Sequence, residues 1–157
     1  MCIRDRLAFD RERVAREFAV QAVFAVTNGV PELGATLSRA DVWQAWRERM
    51  PEPRLWGELA EADTGEEVFA QALRGVAICA PTGGGRLAVV LADNLSLNAS
   101  TRFLELFSVK AQWTADDMAP YLEGVFDAGC KNAAELLLRY TRAVRDQPGM
   151  PVLHCRR

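Results

Sequence analysis

From residue 131 to the end of the chain, six cations stand close together: Lys131, Arg139, Arg142, Arg145, Arg156 and Arg157. Only Glu135 and Asp146 oppose them, so this segment carries +4, residues 1–130 carry −6, and the whole chain carries −2. Five of the six are arginines, whose guanidinium groups are permanently charged planar forks that match phosphate oxygens. The chemistry that these residue types suit is therefore phosphate binding. The overall charge excludes a chain-wide polyanion binder, and a basic end on an acidic body points to a local interaction surface.

Other chemistries find less support. Cys2, Cys79, Cys130 and Cys155 form no Cys-x-x-Cys pair and the single histidine, His154, adjoins Cys155. Zinc needs about four clustered ligands, so no metal is expected, and reduced thiols are the simpler reading. His154 and Cys155 lie in an extended stretch, where neighbours point to opposite faces, so they do not make a nucleophile and its base. The glycine-rich run 81–86 lacks the Lys-Ser/Thr of a phosphate loop and precedes a strand, as a hairpin tip would. Trp43, Trp46, Trp56 and Trp113 read as core or interface anchors. No catalytic residue and no cofactor is expected. No apolar run reaches the length of a membrane span and the start lacks a signal peptide, so no membrane partner is expected.

The elements that position the cations follow from periodicity and capping. Residues 10–28 place Val14, Phe18, Ala22 and Ala25/Val26 on one helical face, ended by Gly29 and Pro31. Ser38 caps a second helix with Trp43, Trp46 and Met50, stopped by Pro51 and Pro53. Thr64-x-x-Glu67 is a capping box for a third, whose stripe is Val68, Phe69, Ala72 and Leu73 with Gly75 beyond it. Runs 76–80 and 86–92 then flank Pro81-Thr82-Gly83-Gly84-Gly85 as a hairpin.

The order begins again. Asn98 or Ser100 caps a helix through Phe103, Leu104, Leu106 and Phe107, and Thr114-x-x-Asp117 opens another after Trp113. Pro120 falls inside it and predicts a kink or a late start. Asn132-x-x-Glu135 opens the last helix, with Ala133, Leu136, Leu137, Tyr140 and Val144 on its core face. Arg139, Arg142 and Arg145 run along the other side together with Leu138, and residues 150–156 are extended.

These elements predict a mainly α chain with small β-hairpins (α+β), a tandem winged helix-turn-helix. Residues 10–95 make the first winged helix and 96–157 the second. Residues 1–6 lack any amphipathic pattern, and 1–9 are set aside as a tail foreign to the fold. The basic last helix occupies the place that winged helix-turn-helix proteins insert into a DNA groove. Four phosphate contacts there would give a slope of about −3.6 in log K against log salt. No Asn/Gln and Arg pattern for base readout is present, so sequence-independent binding is expected. A solvated basic face, a protein scaffold anchored on Leu138, and a sequence-specific transcription regulator are the alternatives.

The last third of the chain also resembles one family closely. Arg102-Phe103-x-x-Leu106-Phe107, Lys110-x-x-Trp113-Thr114, Pro120-Tyr121, Leu137-Leu138-Arg139-Tyr140 and Arg156-Arg157 are similar to the end of the sister chromatid cohesion protein of the alternative clamp loader, the "defective in sister chromatid cohesion" family. Between residues 10 and 92 the likeness is one of element order, with an apolar run into Asp93-Asn94-Leu95 like the family's linker. The resemblance implies a non-enzymatic subunit of a replication-factor-C-like complex in the nucleus, acting in DNA replication and cohesion. It further implies partners: clamp-loader subunits through an N-terminal β-rich region that this sequence lacks, the leading-strand DNA polymerase, and DNA. On that reading the chain is the back portion of a longer protein.

Overall fold

The computed structural model describes residues 3–50, 62–125, 127–145 and 148–157, with side chains throughout except at 3–11 and 62–64. Contacts divide the chain into two compact units, Met1–Val89 and Val90–Arg157.

The first unit runs α1 (Ile3–Val26), β1 (Thr36–Ser38), α2 (Arg39–Arg49), α3 (Ala62–Ala72), β2 (Ala77–Cys79) and β3 (Arg86–Val89). Its sheet is antiparallel in the order β1-β3-β2. The helix α1 starts at Ile3, ahead of the Asp10 start that periodicity suggests. Its buried stripe is Ala15, Ala19, Ala22 and Val23, whereas Val14 is 37% exposed. The core face is thus turned by one position from the Val14–Phe18 face that the apolar pattern suggests. The reason is steric: alanines let α1 approach closely, and the large rings are supplied from the other side. Trp46 of α2 donates its Nε1–H to the Ala15 carbonyl at 3.0 Å. Phe69 of α3 meets Trp43 edge-on at 4.9 Å and Trp46 at 5.2 Å, favourable aromatic geometries beyond simple area burial.

Local signals hold where the cap itself is described. Ser38 accepts from the Asp41 amide at the start of α2. The helix α3 begins at Ala62, ahead of the Thr64 start that the capping box suggests, and the side chain of Thr64 lies outside the described ones. Pro51, Pro53 and Trp56 lie outside the described residues. At the hairpin tip Gly83, Gly84 and Gly85 take φ of 68, 71 and 68°, three successive left-handed residues that side chains would strain.

The second unit opens with a single 3-10 turn, Ala92–Asn94, and continues α4 (Ala99–Val109), β4 (Gln112–Thr114), α5 (Ala115–Leu122), α6 (Ala133–Tyr140), β5 (Thr141–Val144) and β6 (Leu153–Arg156). Its antiparallel sheet has the order β4-β6-β5. Phe103, Leu106, Trp113, Met118, Tyr121, Leu122, Leu136 and Leu137 form its core. Asn98, Thr114 and Asn132 each accept the amide three residues on, so all three N-caps are satisfied. Pro120 sits inside α5, which nonetheless starts directly after Thr114.

Among the described residues the protein is mixed α/β, with six helices and two three-stranded antiparallel sheets. Each unit follows the sequence helix, strand, helix, helix, hairpin, and in each the lone strand pairs with the hairpin's second strand. The strands β1 and β4 are the parts that periodicity misses: three residues cannot display an alternation.

One expectation fails in a way that matters for the cations. The last helix stops at Tyr140, and residues 141–144 are β5. Thr141 turns its hydroxyl onto the Leu137 carbonyl at 2.6 Å and closes the helix end. Its β-branched side chain, with that of Val144, then suits a strand, and the pairing with β6 supplies the backbone partners that a longer helix would have kept.

Candidate nucleic-acid interface

The six cations occupy three different settings in the second unit. Lys131 is exposed just ahead of the N-cap Asn132, and its backbone N–H donates to the Glu135 carboxylate at 2.6 Å. Arg139 is the one arginine on α6, in its last turn. Arg142 lies on β5, Arg145 follows that strand, Arg156 ends β6 and Arg157 comes after it. The continuous ridge along a single helix, expected from the sequence, is therefore replaced by one arginine on the helix and three on the hairpin.

Arg139 is already engaged. Its Nη1 donates to the Ala128 carbonyl at 2.6 Å, lies 3.1 Å from the Asp127 carboxylate and is 3.7 Å from the Cys130 sulfur. The Tyr140 hydroxyl donates to the same Asp127 oxygen. Asp127 and Cys130 are also joined by an antiparallel bridge. Together these contacts fasten the turn before α6 to the helix's last turn. Each titrating partner responds as expected. The Tyr140 hydrogen bond, aided by the charge of Arg139, holds Asp127 below its ordinary value. The Cys130 contact, followed by the Asp127 charge, raises Arg139, and the bond to Asp127 raises Tyr140. Sequence reading missed Asp127, since nothing in a lone aspartate between two turn glycines announces its partners.

Arg157 reaches back to the Leu138 and Arg139 carbonyls at 3.5 and 3.3 Å. A cation there meets the negative end of the α6 dipole and two carbonyls at the end of the helix.

Arg142, Arg145 and Arg156 are exposed. Trp113 is fully buried and stands in register with His154 and Ala143, which defines the inner face of the sheet. Gln112, Cys155 and Arg142 form the adjacent row and so share the outer face. His154 and Cys155 are divided between the two faces, as their adjacency predicts. The Thr141 hydroxyl gives its hydrogen to Leu137, so its oxygen is left to accept from His154 Nδ1 at 2.9 Å. That histidine is held by the core rather than directed at a nucleophile.

Arg102, quoted above for its place in a motif, is 96% buried when counted against its 4% exposure. It donates to the Ala92 and Ser96 carbonyls, while Glu105 accepts from the Ser96 amide at 2.9 Å. Burial pushes the guanidinium's pKa down, and the charges of Glu105 and Asp93 oppose that shift. Its function is to hold the segment entering α4. The exposed apolar residue on α6 is Leu138, at 75%. Among the described residues no group of three or more His, Cys, Asp or Glu side chains could hold a metal ion. No described helix is long and apolar enough to cross a membrane.

The chain thus carries two small helix-and-sheet units, the second bearing an arginine-rich hairpin. The sister chromatid cohesion protein Dcc1 family model matches residues 3–122, more than half of the chain, and the chain belongs to that family. Membership brings a role in sister chromatid cohesion, in a family of accessory factors. No curated protein matches the chain. The match covers every named element of the first unit as well as α4 to α5, so the relationship extends well beyond the last third that carries the most legible motifs. The Leu137–Tyr140 and Arg156–Arg157 motifs lie past its end.

Proposed function

We propose that this chain is a non-enzymatic adaptor of a replication-factor-C-like clamp loader, acting in DNA replication and cohesion in the nucleus. Its two units act as winged helices that meet the leading-strand polymerase and the phosphate backbone of DNA. The observation that carries this reading is the family membership. The recurrence of helix, strand, two helices and hairpin in both units, with matching strand order, supports the winged-helix assignment. The cations of the second unit, Lys131, Arg139, Arg142, Arg145, Arg156 and Arg157, support the DNA contact. Clamp-loader subunits are further partners on this reading.

The test combines a duplex-binding titration at several salt concentrations with capture of the polymerase. Binding whose log K falls linearly with log salt is the expected result. A second reading has its own observation: Leu138 is 75% exposed on α6, which suits a protein partner better than a phosphate. Polymerase capture that survives high salt, with no duplex retained under any condition, would replace the DNA-contacting adaptor by a scaffold.

A further inference from the structure

We propose that Lys131 is an acyl-acceptor site: its Nζ takes an acetyl group from a coenzyme A thioester, and the loss of charge steadies the start of α6. This goes beyond the adaptor reading and does not depend on it.

Composition narrows the choice first. Lys110 and Lys131 are the only lysines among 19 basic residues, and the other 17 are arginines. A guanidinium stays protonated and has no lone pair to offer a thioester, whereas an amine that sheds its proton is a nucleophile. Acyl transfer to a side-chain nitrogen therefore has two places to go.

The structure separates the two. Lys110 is the C-cap residue of α4, and its side chain is 28% exposed. Its Nζ lies 3.4 Å from the Asp117 carboxylate and 5.6 Å from the centre of the Trp113 ring. An acyl group there would abolish both the ion pair and the cation–π contact. Lys131 has nothing of the kind to lose. It is exposed, and among the described residues its ammonium has no hydrogen-bond, ion-pair or ring partner.

Its backbone, by contrast, is held on both sides. The Lys131 N–H donates to the Glu135 carboxylate at 2.6 Å, and the Cys130 N–H donates to the Asp127 carbonyl at 3.0 Å. Arg139 fastens the same turn through the Ala128 carbonyl at 2.6 Å. A free side chain on a fixed backbone can meet a donor without local unfolding.

Electrostatics favours the product. Lys131 stands immediately before the N-cap Asn132 of α6, where the first amides carry the positive end of the helix dipole. A carboxylate is favourable there, as Glu135 is, and a cation is not. Acetylation turns the ammonium into a neutral amide and leaves the backbone bond to Glu135 in place. In the transfer the unprotonated Nζ attacks the thioester carbonyl and the C–N bond forms. The C–S bond breaks, and the departing thiolate takes up the proton that the nitrogen releases.

The experiment incubates the full chain with acetyl-coenzyme A at mildly alkaline pH, strips sulfur-bound acetyl with hydroxylamine, and maps peptides by mass spectrometry over time. Lys131 should be labelled about two- to fivefold faster than Lys110, the factor that an exposed ion pair supplies. Asp117→Asn should narrow the gap, and Lys131→Arg should leave Lys110 as the sole labelled lysine. Lys131→Gln, an uncharged stand-in for acetyl-lysine, should raise the melting temperature by about 1–2 °C, and Lys131→Arg should leave it unchanged. Labelling of Lys110 at an equal or greater rate overturns the choice of lysine. A melting temperature unchanged or lowered by Lys131→Gln overturns the electrostatic argument. No acetyl group on Lys131 in chain recovered from dividing cells under a deacetylase inhibitor overturns the site itself.

Discussion

Trp46 is the residue through which all three helices of the first unit are joined, and its substitution tests that unit's core. Its side chain is 4% exposed, stacks on Trp43 with centroids 5.5 Å apart, lies 5.2 Å from Phe69, and donates to the Ala15 carbonyl at 3.0 Å. Trp46→Ala removes every one of these interactions and leaves a cavity, a change that costs about 3–5 kcal/mol. Trp46→Phe separates the terms. It retains an aromatic ring against Phe69 and loses the hydrogen bond, about 1 kcal/mol, together with some packing. The Ala15 carbonyl still faces the amide ladder of α1, so no orphaned acceptor adds to the cost. We expect about 1–2 kcal/mol for the phenylalanine variant and two to three times that for alanine. With domain stabilities of about 5–15 kcal/mol, the alanine variant loses a large share of its total. Urea titration followed by far-UV circular dichroism measures both. At a slope of about 1–3 kcal/mol/M the alanine midpoint should fall by about 1 M or more. Equal losses for the two variants, or losses under about 1 kcal/mol for both, would refute Trp46 as the common anchor.

Two further outcomes are expected. The Asp127 carboxylate is held below its ordinary value of 3.8, so its stabilising contribution is complete above that value and disappears as pH falls through the depressed folded value. Tyr140 is raised above 10.0, so its contribution is complete below that value and is lost as pH rises through the folded one. Asp127→Asn should therefore flatten the acid limb of the melting-temperature profile, and an unchanged limb would show that the clamp on α6 contributes nothing. For the buried guanidinium, Arg102→Ala should destabilise the second unit by about 1.5–3 kcal/mol, the range for hydrogen bonds to charged groups. Arg102→Lys should recover part of the loss, because an ammonium cannot span two carbonyls as a fork does. A thermal melt that leaves Arg102→Ala at wild-type stability would mean that the carbonyl contacts are incidental.

The starts of α2, α4, α5 and α6 were legible because capping is local chemistry. Ser38, Asn98, Thr114 and Asn132 each need only an amide three residues away, and that relation is written in spacing. The hairpin of the first unit was equally plain, since three consecutive glycines leave few backbones open besides a turn. The family motifs in residues 102–122 were read from residue types alone, and the family match covers them.

Tertiary structure decided the rest. Whether residues 141–144 continue a helix or pair with a strand depends on β6, which lies beyond a loop and outside any local window. The apolar set Leu136, Leu137, Tyr140 and Val144 fits a helical period, yet Thr141 finds both Leu137 and His154, and the pairing with residues 153–156 takes over. The same pairing moved Arg142 to a sheet and left Arg139 alone on the helix with Asp127. In α1 the buried face was chosen by the bulk of Trp46 and Phe69, which alanines accommodate and Val14 would not. Capping and composition are properties of a few neighbours in the chain, and they could be read directly. Strand partners, the choice of buried face and the grouping of charges are properties of residues far apart in sequence, and packing alone brings them together.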